Sequence, residues 1–316
     1  MAAALLLAAA CHPGGRPRRP RARRTAAWAA PAAGAAGAVG TTGAAQQTAQ
    51  RKMDDGEILR NLRETRGWSN VDMGAGGNCL FLSIAPQVSG RDMAALSSSS
   101  PAWKARLEGL GASVVASWEA LPPRERAGLL RRIAMLDESD FIAGLQELRA
   151  GGSPVPPEVH WRALELYKDM VEEFVSTGIL GDELPGQWPP WGGPQGRYNQ
   201  VRQLARDTPP SEMYDFVLRH AETYMGCTGR EGNWAGSSEM AALASALGRP
   251  FLAYGNNWVS HDEVQLRSVG PDRWEVLPYF SAPAPGSSGS DSSGGGEAAP
   301  VKIFQTRGGG HYQMLM

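Results

Sequence analysis

Apolar residues recur at helical spacing through much of the chain. The clearest run lies between Val159 and Val175, where Leu164, Tyr167, Val171, Phe174 and Val175 share one face. A shorter helix is predicted over Asp55 to Arg66, with Ile58 and Leu62 at i, i+4. Leu80, Phe81, Ile84 and Ala85 predict a helix opening at Cys79, which Pro86 ends or kinks after about two turns. Ser97 to Pro101 reads as a loop. Residues 102–225 read as mostly helical. Pro122-Pro123 opens a segment over Arg124–Leu136, and a second covers Asp140 to Arg149. Gly151-Gly152-Ser153-Pro154 then breaks the pattern, and Ser211 is a candidate N-cap for a helix reaching Tyr224.

The period changes near the C-terminus. Ser237 is read as the cap of a helix over Glu239–Leu247, stopped by Gly248 and Pro250. Phe251–Tyr254, Trp274–Tyr279, Val301–Phe304 and His311–Leu315 read as strands. Ser281 to Pro300 is rich in Ser, Gly, Pro and Ala and is expected to be a disordered loop. Trp188-Pro189-Pro190-Trp191 reads as a stiff aromatic loop packing over the protein's own core. No internal repeat is present.

With 316 residues, 42% of them hydrophobic, the chain can bury a core of ordinary size as one large domain or two small ones. Its net charge of −1 conceals an asymmetry. Eight of the 31 Lys and Arg (Arg16, Arg18, Arg19, Arg21, Arg23, Arg24, Arg51 and Lys52) precede Asp54, and no acid does. The remaining 23 stand against all 32 Asp and Glu, so residues 54–316 carry −9. An acidic body argues against nucleic acid as a partner. Residues 1–53, acid-free and rich in Ala, Gly, Thr and Arg, read as a disordered, transit-peptide-like segment. That suggests a chloroplast or mitochondrial address, with cytoplasm as the alternative. Ala2–Ala10 is too short to span a bilayer, and no stable membrane insertion is expected. Cys11, Cys79 and Cys227 do not form a disulfide framework, and no cysteine or histidine spacing suggests a metal. Cys227 reads as a packed thiol, and no cofactor is expected.

Gly74-Ala75-Gly76-Gly77-Asn78-Cys79 places a thiol at a glycine-rich turn before a helix, where unpaired N–H groups and the helix dipole favour thiolate. Far downstream, Gly308-Gly309-Gly310-His311-Tyr312 offers an imidazole that only folding could bring to it. Of the other histidines, His12 lies in the address, His160 and His220 read as surface or cap residues on helices, and His261 sits in a loop.

Three blocks resemble, in order, the OTU (ovarian-tumour) family of cysteine deubiquitinases. Gly77-Asn78-Cys79-Leu80-Phe81 is similar to its D-G-N-C-L-F nucleophile motif. Trp234-Ala235-Gly236-Ser237-Ser238-Glu239-Met240-Ala241-Ala242-Leu243-Ala244, followed by Arg249-Pro250-Phe251, is similar to its W-G-G-x-x-E loop, helix and strand. Gly310-His311-Tyr312 is similar to its terminal H-[YF] strand. The blocks cover about residues 66–95 and 211–316, leaving 96–210 as a helical insertion within a catalytic domain over 54–316. The resemblance implies a papain-like α+β fold, a small mixed sheet flanked by helices. It implies a monomeric thiol isopeptidase that cleaves at the C-terminus of ubiquitin, polyubiquitin or a ubiquitin-like protein. Cys79 would be the nucleophile and His311 the base. Backbone N–H groups around Gly76, Gly77, Asn78 and Cys79 would form the oxyanion hole. Trp234, Ala235 and Gly236 would wall a slot for the substrate tail.

Two positions depart from the family pattern. Gly76 stands where the family has Asp, and Gln313 where it favours Asn or Asp to orient the histidine. Gln313 and Asp72, the nearest acid upstream, are therefore the two candidates for the third member. The alternative function is a catalytically impaired, ubiquitin-binding relative. A papain-like protease for ordinary peptides is a third reading.

Overall fold

The computed structural model describes residues 47–74, 76–111, 114–179, 201, 203–255, 263–282, 299–306 and 311–316. The Trp188–Trp191 loop, His261 and most of the Ser/Gly-rich stretch expected to be disordered lie outside them. The fold is α+β. Among the described residues, two sheets occur: a five-stranded mixed sheet and a three-stranded antiparallel one.

The chain enters at β1 (Thr48–Lys52), within the segment read from composition as part of an address. It then forms α1 (Asp55–Arg66), where Asp54 and Glu57 complete a capping box and Gly67 stops the helix with φ 71°. Ile58 and Leu62 are fully buried, as their spacing predicts. After the two-residue strand β2 (Asn70–Val71) come α2 (Cys79–Ile84) and a 3₁₀ turn (Ala85–Gln87) that contains Pro86.

Next come α3 (Gly90–Ser99), α4 (Pro101–Leu110), α5 (Val114–Ser117), α6 (Pro123–Ala150), α7 (Pro157–Thr177) and a helical stretch including residues 203–207, so residues 96–210 are mainly helical where they are described. α8 (Pro210–Thr228) follows. Two predicted boundaries are corrected here. Ser98 and Ser99 do not form a loop, because their hydroxyls donate back to the carbonyls of Ala94, Ala95 and Leu96 and the backbone stays helical. The two segments expected on either side of Leu136–Asp140 are one helix, α6, since no Gly or Pro separates them. Proline also displaces a cap: Pro209 and Pro210, rather than Ser211, open α8.

α9 (Ser237–Leu247) then leads to β3 (Phe251–Gly255), β4 (Glu263–Gly270), β5 (Arg273–Val276), β6 (Phe280–Ala282), β7 (Val301–Gln305) and β8 (Tyr312–Leu315). The larger sheet runs β2-β8-β7-β3-β6, with β3 and β7 parallel and the other pairs antiparallel. The smaller runs β1-β4-β5. Ser281 and Ala282, placed by composition at the start of the disordered loop, instead belong to β6 and pair with β3.

One core joins α2, α3, α6 and α9 to the larger sheet. A second lies among α6, α7 and α8 and includes Leu145, Leu166, Tyr167, Phe174, Val217 and Tyr224. His220, expected at the surface or as a cap, is buried there with its ring 4.6 Å from that of Phe216. His160 bonds the Tyr214 hydroxyl at 2.7 Å.

The α6–α7 seam buries Glu138 completely, with Arg162 3.6 Å away and no hydrogen-bond partner on either carboxylate oxygen. Arg162 instead bonds Asp137. Burial therefore pushes the Glu138 carboxyl up to about 8, against the partial relief offered by Arg162. A carboxyl raised in this way contributes stability below its unfolded value of about 4.3. That contribution is lost as pH rises toward about 8. Glu138→Gln, which cannot ionise, should match the wild type near pH 4 and exceed it by about 1–3 kcal/mol at alkaline pH. Urea denaturation across that range measures the difference.

Candidate active site

Cys79 is the first residue of α2, and its own N–H closes a turn on Gly76 O at 3.0 Å. Gly76 has φ 113°, a conformation that L side chains rarely adopt. The backbone thus accounts for glycine where the family pattern has Asp. Gly77 is needed for a different reason. A Cβ there would lie 1.8 Å from Gly232 O and 2.7 Å from the carbonyl carbon of Asn233, so two backbone segments touch at this point.

β8 brings up the other half of the site. It pairs with β7 through Ile303↔Met314 and with β2 through Val71↔Met314. His311 immediately precedes β8, and Asp72 immediately follows β2. Antiparallel pairing therefore places them together, and His311 Nε2 lies 3.0 Å from Asp72 Oδ1. Asp72 also accepts the Gly74 N–H at 2.8 Å. That bond, and then the one to His311, hold the Asp72 carboxyl below its ordinary value. On the same ring, Nδ1 is buried without a hydrogen-bond partner. One nitrogen is oriented by a carboxylate and the other remains able to take a proton, which is the division of labour required of a general base.

The thiol reaches the same strand. Tyr312 N–H donates to Cys79 Sγ at 3.5 Å, and Ser83 Oγ donates to Tyr312 O at 3.0 Å, so α2 is fastened to β8 at both ends of one residue. Of the two third-member candidates, Asp72 meets the imidazole. The Gln313 side-chain oxygen instead accepts from Asn70 Nδ2 at 2.8 Å.

The thiolate expected from the helix start does not prevail. Cys79 is 1% exposed, and burial raises its pKa although the N–H groups of Tyr312, Leu80 and Cys79 itself oppose the rise. A helix of only six residues has a small dipole to set against that desolvation. The resting group is a thiol. Cys227 is buried and is disulfide-bonded, not the thiol expected.

The Trp234–Gly236 segment borders the nucleophile loop. Trp234 is 51% exposed, and Ala235 packs on the core beside α9. Gly236, not Ser237, is the N-cap of α9, and its N–H donates to Glu239 Oε2 at 2.6 Å. A Cβ on Gly236 would come within 2.9 Å of Asp169 Oδ2. Asp169 reaches over from α7 to accept the Ser238 N–H at 2.7 Å.

Arg131, on α6, was invisible to motif reading. Its Nη2 donates to Gly77 O at 2.9 Å, to Asn78 Oδ1 at 2.9 Å and to Asn233 O at 2.7 Å. Its Nη1 donates to Thr228 O. Asn78 Oδ1 also accepts the Gly232 N–H at 3.3 Å, and Asn78 Nδ2 donates to Glu231 Oε1 at 3.1 Å. A signal did exist: Ala127, Leu130, Arg131, Ala134 and Glu138 share one buried helical stripe, and a charge on such a stripe needs partners.

Among the described residues, no group of His, Cys, Asp and Glu could hold a metal, and no helix is long and apolar enough to cross a membrane. No protein-family model matches the chain, and no curated protein matches it either.

A thiol raised by burial should alkylate slowly near neutrality. The rate of iodoacetamide modification at Cys79, followed by peptide mass spectrometry, is expected to climb with pH beyond the usual cysteine value of about 8.5. A plateau at neutral pH would contradict the burial argument.

Proposed function

We propose that the chain is a cysteine isopeptidase with a papain-like, OTU-type fold, acting on the C-terminal tail of ubiquitin or a ubiquitin-like protein. One observation carries this reading: the Cys79 sulfur accepts the N–H of Tyr312, the residue next to the His311 that pairs with Asp72, although residues 79 and 311 lie at opposite ends of the domain.

In the proposed reaction, His311 Nδ1 takes the Cys79 proton as sulfur attacks the tail carbonyl, giving a tetrahedral oxyanion. The imidazolium then protonates the departing lysine amine, leaving a thioester that water hydrolyses with His311 again as base. Asp72 holds the ring through Nε2 and stabilises the imidazolium between the two proton transfers. The Gly77–Asn78 backbone supplies donors for the oxyanion. Cys79 N–H, already turned onto Gly76 O, contributes only if that turn opens. Trp234 offers an exposed aromatic face beside the nucleophile loop for an extended, glycine-ended tail.

The second reading, a ubiquitin-binding relative with impaired chemistry, is favoured by the buried, raised Cys79 thiol. A ubiquitin probe with a C-terminal electrophile separates the two. Covalent labelling that disappears in Cys79→Ala supports the enzyme, and reversible binding without labelling supports the module. With a ubiquitin amide substrate, His311→Ala should lower kcat by roughly 10²–10⁴-fold. Asp72→Ala should cost less than that, and Gln313→Ala should remain near wild type. The reverse order for residues 72 and 313 would overturn the assignment of Asp72.

A further inference from the structure

Arg131 comes from the helical insertion yet is 2% exposed and bonded to the loop that carries the nucleophile. Removing a guanidinium from water is expensive unless its donors are met, and here the terminal nitrogens meet oxygens on two separate loops. Gly77 O and Asn78 Oδ1 belong to the Cys79 turn, and Thr228 O and Asn233 O to the segment leading to Trp234. The guanidinium carbon also stands 4.5 Å from the centroid of the Phe81 ring, on the helix that Cys79 opens.

We propose that Arg131 is a positioning residue for the Cys79 chemistry: it locks the Gly77–Asn78 peptide in the orientation that presents the Asn78 N–H as an oxyanion donor. The proposal rests on the thiol-hydrolase reading. In a planar trans peptide the C=O and N–H point in opposite directions. A carbonyl drawn onto Arg131 therefore directs the next N–H away from Arg131. Rotation of that peptide is opposed on both sides. Asn78 is fixed through its side chain by Arg131, Gly232 and Glu231, and Gly77 is wedged against the backbone of Gly232 and Asn233. A lysine could not reproduce the whole arrangement, because its single nitrogen cannot stand at both the Nη1 position that meets Thr228 O and the Nη2 position that meets the other three acceptors.

The charge itself adds little. Burial works first against the Arg131 cation, and Cys79 is the last of the nearby groups whose negative form supports it, so any return effect of the cation on the sulfur is small beside the thiol's own burial. It is through the clamp that the insertion forms part of the catalytic apparatus.

Full-length Arg131→Lys and Arg131→Met test the proposal. Hydrogen–deuterium exchange needs no substrate. In Arg131→Lys, peptides covering residues 76–80 and 228–234 should exchange roughly tenfold faster or more, while those of β3 and β7 stay unchanged. With a ubiquitin amide substrate, kcat should fall roughly 10²–10³-fold, with KM within about threefold of wild type. The alkylation profile of Cys79 should stay close to that of wild type in both variants.

Unchanged exchange in the two loops of folded Arg131→Lys overturns the clamp. Faster exchange with full kcat, or a loss appearing wholly in KM, overturns its part in the chemistry. Arg131→Lys retains the charge and the apolar stem, and it decides the matter if Arg131→Met does not fold. If wild type itself does not turn over ubiquitin, the deubiquitinase reading fails by itself. Exchange then still judges Arg131.

Discussion

Strand β8 is the part on which the candidate site depends, because its backbone hydrogen bonds also set the spacing of the reactive groups. One edge pairs with β7 and the other with β2, so the register brings Asp72 to the same end of β8 as His311, opposite Gln313 and diagonal to the imidazole. Tyr312, the first residue of β8, meets the sulfur with its N–H and Ser83 with its carbonyl. A one-residue slip in this pairing would turn each β8 side chain to the other face of the sheet. Tyr312 packs in one core and Leu315 in another on the opposite face, so a slip would force each side chain into a space shaped for a different one.

Desolvation is the common cost in the site. It raises the Cys79 thiol and opposes the Arg131 cation, whereas exposed Asp72 remains readily ionised. A covered thiol is protected from adventitious oxidation. Keeping a cation in so dry a place requires partners for its donors, and at Arg131 the terminal nitrogens have them while the buried Nε does not. The convergence of Gly77, Asn78, Thr228 and Asn233 on Arg131 provides these partners.

What the amino-acid pattern revealed was local. α1 could be read because its capping box and its Ile58–Leu62 pair lie within one short segment, and α7 because its apolar stripe is long. Cys79 and His311 stood out through their neighbours. β1 and β4 were missed. β1 is almost wholly exposed, and its strand character comes from pairing with a segment more than 200 residues away, which no local period can reveal. Asp72 could be named only as a candidate, because its role follows from the β2–β8 register. Arg131 was missed because its partners are mainly backbone oxygens, which leave no mark in composition.

The β1 strand has a consequence for the segment before it. Because Thr48–Lys52 occupies one side of β4, cutting the chain anywhere ahead of Thr48 would leave the small sheet intact. A cut after Met53, where the basic composition ends, would strip that strand and uncover the edge of β4 from Glu263 to Arg267. A bare sheet edge of this kind invites another polypeptide to add itself by strand pairing. Trimming by a few residues would then separate a chain with a covered sheet edge from a self-associating one.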